Sequence, residues 1–217
     1  MRSNFTNNAS KQETRVANLR AAQRSYVLCP PHRGKLVDDW VELAGVECPT
    51  LDLIESALSR RAQMIGVERN SSILAECRRI HSGRRASWVE GDLINLVMSR
   101  DTCLQNAGVL NYDGFHTPGA PLEEALEILG DFAVARQAQA SHFLLIINVT
   151  TAYLKSTATT LRWIERVFPK YLTGTLPPDL TACVYTSKTK PMVNVQIGYG
   201  YDPHSALSAI EGVRLRA

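Results

Sequence analysis

The residues of this chain best suited to chemistry are acids that follow short apolar runs. Met64-Ile65-Gly66-Val67 stops at Glu68, Ala86 to Val89 is closed by Glu90-Gly91-Asp92, and Ala107 to Tyr112 leads into Asp113-Gly114-Phe115-His116. Between the first two runs, Ile73, Leu74, Cys77 and Ile80 recur at helical spacing. Strand, acid, helix, strand, acid is the order of a parallel α/β unit, whose strands present ligands at their carboxyl ends. A carboxylate after the second strand can accept both hydroxyl protons of a ribose. One after the third can reach the amino edge of an adenine. Glu68 and Asp92 are therefore candidates for holding a nucleoside-containing cofactor.

The third run ends in types that suit an acceptor site. Asp113 can orient or deprotonate an acceptor, His116 can shuttle a proton, and Tyr112 or Phe115 can stack on a base. Plain structural readings stand beside these. Asp113-Gly114 can form a turn with Phe115 in the core, and Gly91-Asp92 can simply start the next helix. Asn70 and Ser71 are good helix caps, so Glu68 is not needed as one. Arg33-Gly34-Lys35-Leu36 lacks the first glycine and the Ser/Thr of a phosphate-binding loop, which argues against a nucleoside triphosphate. The doublets Arg60-Arg61, Arg78-Arg79 and Arg84-Arg85 read as solvated helix ends. Gathered on one face with a basic N-terminal segment, they would instead make a phosphate track.

The elements that must position these residues follow in order. Residues 1–24 read as a flexible basic segment, polar to about residue 12 and then a short helix, with Arg2, Lys11, Arg15, Arg20 and Arg24 against Glu13. Residues 25–217 read as one domain. Tyr26-Val27-Leu28-Cys29 is the expected first strand, broken by Pro30-Pro31-His32-Arg33-Gly34-Lys35. Leu36, Trp40, Val41 and Leu43 mark a helix, and Leu51 to Leu58 another turn or two. After the strand-helix-strand unit come a helix at Leu93 to Met98 and a fourth strand at Ala107 to Tyr112. Pro118-Gly119-Ala120-Pro121 starts a long helix, with Pro121 suited to its first position. Phe143 to Val149 is a near-continuous apolar run, the pattern of a central strand covered on both faces. A helix from Ser156 to Val167 follows. Leu180 to Tyr185 and Met192 to Ile197 are joined by a turn too short for a parallel crossover, so they form an antiparallel hairpin.

At 217 residues, with 45% apolar and 21% charged residues, the chain has the composition of a globular domain with a sizeable core. No apolar run approaches the ~18 residues of a membrane span, and the N-terminus has no secretory signal pattern. The five cysteines include no Cys-x-x-Cys pair, so no metal and no disulfide framework is expected. Free thiols and a cytoplasmic setting follow. The net charge of +3 is small.

Five β/α units followed by a hairpin resemble the class I (Rossmann-like) S-adenosylmethionine-dependent methyltransferases. The likeness covers roughly residues 24–200. It is carried by Val67-Glu68 with its helix, by Glu90-Gly91-Asp92, and by Asn111-Tyr112-Asp113-Gly114. The resemblance implies an α/β fold with a seven-stranded mixed sheet in the order 3-2-1-4-5-7-6, the last strand antiparallel, and helices on both faces. It implies S-adenosylmethionine as cofactor, with Glu68 on the ribose and Asp92 at the adenine. The expected first loop, Cys29 to Gly34, would face the methionine end of the cofactor. The family's loop is glycine-rich, whereas this stretch holds one glycine and two prolines, which supply no N–H. The fourth-strand ending has the polar and aromatic types of the tetrapeptide in amino-methylating nucleic-acid enzymes, without its prolines. Asn111, Asp113 and His116 are thus the catalytic candidates, Tyr112 and Phe115 the substrate-binding ones, and RNA or DNA a candidate partner through the basic N-terminal segment. The rival readings are a non-catalytic scaffold of the same fold and a nicotinamide-dependent oxidoreductase. The missing Gly-x-Gly-x-x-Gly and the terminal hairpin count against the latter.

Overall fold

The computed structural model describes residues 9–27, 35–140, 142–151, 156–172, 179–187 and 190–200. Seven strands, β1 Asp39–Leu43, β2 Met64–Glu68, β3 Ala86–Glu90, β4 Ala107–His116, β5 Phe143–Thr150, β6 Asp179–Ser187 and β7 Lys190–Tyr199, form one sheet. Its order is β3-β2-β1-β4-β5-β7-β6. The first five strands run parallel, and β7 lies antiparallel between β5 and β6. The expected sheet and terminal hairpin are therefore present.

Helices cover both faces. On one side are α1 (Ala9–Val27), α2 (Pro49–Ile54) and α3 (Ser71–Ile80). They pack Leu19, Leu51, Ile54, Leu74 and Cys77 against Trp40, Met64, Trp88, Val109 and Leu144 of the sheet. On the other side are α4 (Leu93–Met98), α5 (Ala120–Ala140) and α6 (Thr157–Tyr171). Their Leu93, Leu126, Leu129 and Phe168 meet Val41, Ile65, Leu110, Leu145 and Val195. Alternate residues along each strand feed opposite clusters because successive strand side chains point to opposite faces.

Three local expectations give way. The first strand is β1, not Tyr26 to Cys29. Tyr26 and Val27 belong to α1, and Trp40 to Leu43, expected to be helical, are strand. A short apolar run buried on both faces carries no period that separates strand from helix. The short helix expected after residue 12 is present as α1, but it already begins at Ala9, inside the stretch read as polar and flexible, and it buries Lys11, Thr14, Arg15 and Asn18. Finally, β4 does not end at Tyr112 but continues as strand through His116. Cys29 and Gly34, and the loop they were read into, lie outside the described residues; the loop that follows the first strand is instead Ala44-Gly45-Val46-Glu47-Cys48.

Candidate functional site

In this sheet order β1 pairs with β2 on one side and β4 on the other, so the strand sequence reverses between β1 and β4. Open α/β sheets leave a crevice outside the carboxyl ends of the strands at such a point. Glu68, Asp92 and the end of β4 all lie at this edge, as the spacing of the apolar runs predicts.

Glu68 is the last residue of β2 and half-buried. One carboxylate oxygen accepts the Asn70 N–H at 2.8 Å. The other has no partner among the described residues and remains open to a ligand donor. The cap of α3 comes from Asn70, whose side chain accepts from the Ser72 and Ile73 N–H groups. Asp92 is more committed. It caps α4 by accepting the Asn95 N–H at 3.1 Å, and its other oxygen pairs with Arg69 at 3.3 Å. The helix-start reading of Gly91-Asp92 is realised.

The β1–α2 loop is fixed from below. His81, at the end of α3, bonds the Val46 carbonyl through Nε2 at 2.8 Å, which requires the proton on that nitrogen. Its ring stacks on Trp88 with centroids 5.3 Å apart. Trp88 in turn lies over Gly66, where a Cβ would come within 2.4 Å of the indole. Cys48 closes the loop in the left-handed region, at φ 36°, and leads into Pro49 of α2. Its thiol is buried, which pushes its pKa up and makes it a poor nucleophile.

The strand pleat divides the fourth-strand candidates. Tyr112 packs against the cluster under α4 to α6, and the His116 ring stacks on it at 3.9 Å. Burial pushes the Tyr112 phenol up, and the charge of Asp92 adds to the effect. Burial pushes His116 down to about 4, against an opposing pull from Asp113. His116 is thus neutral near pH 7, and its buried Nε2 has no hydrogen-bond partner. Asn111 and Asp113 face α1 on the opposite side of the sheet. The side chain of Phe115 lies outside the described ones.

Around Asn111 and Asp113 the structure assembles groups that spacing alone does not reveal. Glu42, fully inside β1, accepts from Trp40 Nε1 at 3.0 Å and from Asn111 Nδ2 at 3.2 Å. Burial raises its pKa, and these two hydrogen bonds oppose the rise. The Asn111 Oδ1 is buried without a partner. Asp113 pairs with Lys11 of α1 at 3.3 Å and accepts from Asn148 Nδ2 at 2.8 Å. Asn148 Oδ1 accepts from Tyr185 at 3.2 Å and from Asn194 at 2.9 Å. Gln196 donates to Asn194 and to Asn18 of α1. A connected polar layer therefore lies between α1 and strands β4, β5 and β7. A signal for it existed: Asn194 and Gln196 alternate in an otherwise apolar strand, and Asn148 interrupts Phe143 to Val149.

Among the described residues no cluster of His, Cys, Asp and Glu could hold a metal ion, and no helix is long and apolar enough to cross a membrane. Of the arginines expected to steer phosphate, Arg15 is buried, Arg20 is exposed, and the side chain of Arg24 lies outside the described ones.

Comparison with family models and with curated proteins returns no match. Solved structures do match. Human methyltransferase-like protein 13, in complex with SAH, aligns over 86% of this chain and 82% of its own, with a TM-score of 0.55 at 13% identity. The N-methyltransferase NodS from Bradyrhizobium japonicum WM9 aligns over 91% and 100%, with a TM-score of 0.53 at 13% identity. The Methanococcus jannaschii fibrillarin pre-rRNA processing protein aligns over 77% and 69%, with a TM-score of 0.50 at 12% identity. At such identities the likeness is one of fold. Sheet order, the antiparallel seventh strand and these neighbours together show that the chain has the fold of the class I S-adenosylmethionine-dependent methyltransferases.

Proposed function

We propose that this protein binds S-adenosylmethionine at the carboxyl edge of β1, β2 and β4 and transfers its methyl group to a nucleic-acid acceptor. The observation that carries the reading is Glu68, half-buried at the end of β2 with one carboxylate oxygen open beside the strand-order reversal. A ribose diol fits an acid that can take two charge-assisted hydrogen bonds. Asn111 Oδ1, near the same edge, is buried without a hydrogen-bond partner among the described residues, so it shapes the floor of the crevice rather than offering an open acceptor. The cofactor supplies a methyl group on a sulfonium, a good leaving group that needs no metal.

The remaining work falls to this chain's own residues. Tyr112 and His116 form a stacked pair at the end of β4 on which a planar group can rest. Burial holds His116 neutral and leaves its Nε2 inside the protein, which makes it a part of the stacking surface and a poor base near pH 7. Asp113 is engaged by Lys11 and Asn148, so its part is to fix the end of β4 and the approach of α1 rather than to take a proton freely. Asp92 orders the start of α4 and holds Arg69 beside the adenine position. For the acceptor class, support comes from the exposed arginines and from a fold neighbour described as a pre-rRNA processing protein.

Calorimetry of the purified protein with S-adenosylmethionine, S-adenosylhomocysteine and NAD tests the cofactor. The reading expects binding of the first two and none of NAD. Transfer of labelled methyl groups to total RNA or DNA tests the reaction. Failure of both experiments favours the non-catalytic scaffold, which the ion pair holding Asp113 beneath α1 would also suit.

A further inference from the structure

The cofactor crevice leaves the arginine doublets unused. All three fall at the opposite, amino edge of the sheet. Arg60-Arg61 precede β2, Arg84-Arg85 precede β3, and Arg78-Arg79 close α3, which runs back from the carboxyl end of β2. Hydrogen bonds join these segments. Arg85 donates to the Leu58 and Ser59 carbonyls at 2.9 and 2.6 Å, directly before Arg60. The Arg84 N–H closes a turn on the His81 carbonyl at 3.2 Å, beneath the end of α3.

Structural duties account for half of these cations. Arg84 is held by Asp52 at 2.6 Å and Glu55 at 2.7 Å, Arg85 by the carbonyls above, and Arg78 by the Trp88 carbonyl at 2.9 Å. Arg60, Arg61 and Arg79 are different. The guanidiniums of Arg60 and Arg61 are exposed and have no partner among the described residues. They follow no helix end whose dipole would favour a cation there. Among the described residues Arg79 makes a 3.8 Å surface pair with Glu76 and no other, a contact of little worth. Helix α1 points toward the same edge, since Lys11 meets Asp113 near the carboxyl end of β4 and Asn18 meets Gln196 in mid-sheet. Exposed Arg20 therefore lies further toward the amino edge.

We propose that this amino-edge surface, centred on Arg60 and Arg61 and extended by Arg79 and Arg20, binds the phosphate backbone of a nucleic acid. Guanidinium is suited to phosphate because its planar fork can bond two oxygens at once. A bilayer is a poorer fit. Among the described residues the exposed large apolar side chains are Ile80, Met98 and Val184. Ile80 and Met98 close α3 and α4 toward this edge, but those helices cover opposite faces of the sheet, and one such side chain beside the arginines is too little to anchor in lipid. Lying away from the crevice, the surface would supply affinity and orientation rather than sequence reading. The proposal rests on the nucleic-acid choice made above and not on methyl transfer itself.

The test is fluorescence anisotropy with a labelled single-stranded oligouridylate of about 20 nucleotides, over a series of salt concentrations. It compares the wild-type protein with R60E/R61E, R79E and the control R162E/R166E on the exposed face of α6. Wild type should bind, with an affinity that falls steeply with salt. R60E/R61E should lose about tenfold or more in affinity and lower the salt slope by about 1.4, two contacts at about 0.7 each on a single strand, and R79E should lose less. R60K/R61K should retain binding, and the control should stay within about twofold of wild type. No binding by wild type, equal binding by R60E/R61E, or an equal loss in the control would each overturn the proposal. So would binding to phosphatidylserine vesicles in place of the oligonucleotide. S-adenosylhomocysteine affinity should be the same in all variants, so its absence in every protein would sink the cofactor reading while leaving this one intact.

Discussion

Replacing Asp113 by asparagine should destabilise the protein through Lys11. The Lys11 and Asp113 side chains are 6% and 19% exposed, and their charged atoms lie 3.3 Å apart. Asp113→Asn keeps the shape and can still accept from Asn148, but it removes the negative charge facing a buried ammonium. Breaking a buried pair from one side costs about 3–5 kcal/mol. The partial exposure of Asp113 places the effect at the lower end, about 3 kcal/mol. With a urea m-value of about 2 kcal/mol/M, the midpoint should fall by about 1.5 M. Lys11→Met combined with Asp113→Asn removes both charges and should recover at least half of that loss. Urea denaturation followed by circular dichroism measures all of these. A midpoint shift below about 0.3 M, or a double variant whose loss equals the sum of the singles, would refute the claim that α1 is fastened by this pair. The result also decides how any loss of methyl transfer in an Asp113 variant is read, because α1 would loosen at the same time.

Glu68→Ala should weaken S-adenosylhomocysteine binding by more than tenfold, since two charge-assisted hydrogen bonds contribute about 2–4 kcal/mol. Equal affinity by calorimetry, with the variant folded, would remove Glu68 from the site. His116 should make stability depend on pH. Its folded pKa, about 4, lies below the ordinary value, so the unfolded chain binds the proton more readily. Its contribution is complete above about pH 6.5 and is lost as pH falls toward 4, by up to about 3 kcal/mol. The stability difference between wild type and His116→Gln should shift across that window, and a constant difference would contradict the assignment. His81→Phe preserves stacking on Trp88 but loses the bond to the Val46 carbonyl. It should cost about 1 kcal/mol of stability and weaken S-adenosylhomocysteine binding through the loosened β1–α2 loop. A variant that is less stable but binds equally would cut the link between that loop and the cofactor.

The alternation of apolar runs and helical patterns already determined the order of β2 to β7 and the terminal hairpin. Those runs are bounded by turn residues; right-handed crossovers prune the possible sheet orders to a handful, and the resemblance to the methyltransferases singled out one of them. The acids after β2 and β3 were legible for the same reason, because a strand's carboxyl end follows directly from where its apolar run stops. The first strand was not legible. Trp40-Val41-Glu42-Leu43 is buried on both faces, so its pattern satisfies a helix as well as a strand. Glu42 was missed with it, since only the surrounding sheet tells that this acid lies inside the protein.

Tertiary structure alone decided the chemistry at β4. In sequence the strand stops at Tyr112 and Asp113 to His116 read as a polar loop, with the candidates side by side. The pairing of β4 with β5 breaks register after Tyr112, opposite Ile147, and resumes at His116 opposite Val149, and along this irregular stretch Asp113 turns toward α1 while Tyr112 and His116 turn toward the opposite helices. Helix α1 shows the same limit from the other direction. Its Lys11, Thr14, Arg15 and Asn18 fall at helical spacing, but polar residues in a basic segment look solvated when read alone. All four are buried, and Lys11 and Asn18 meet a polar face presented by Asp113, Asn148, Asn194 and Gln196, drawn from three strands far apart in sequence. A buried hydrogen-bonding group needs a partner, and sequence spacing carries no record of partners that only folding brings together.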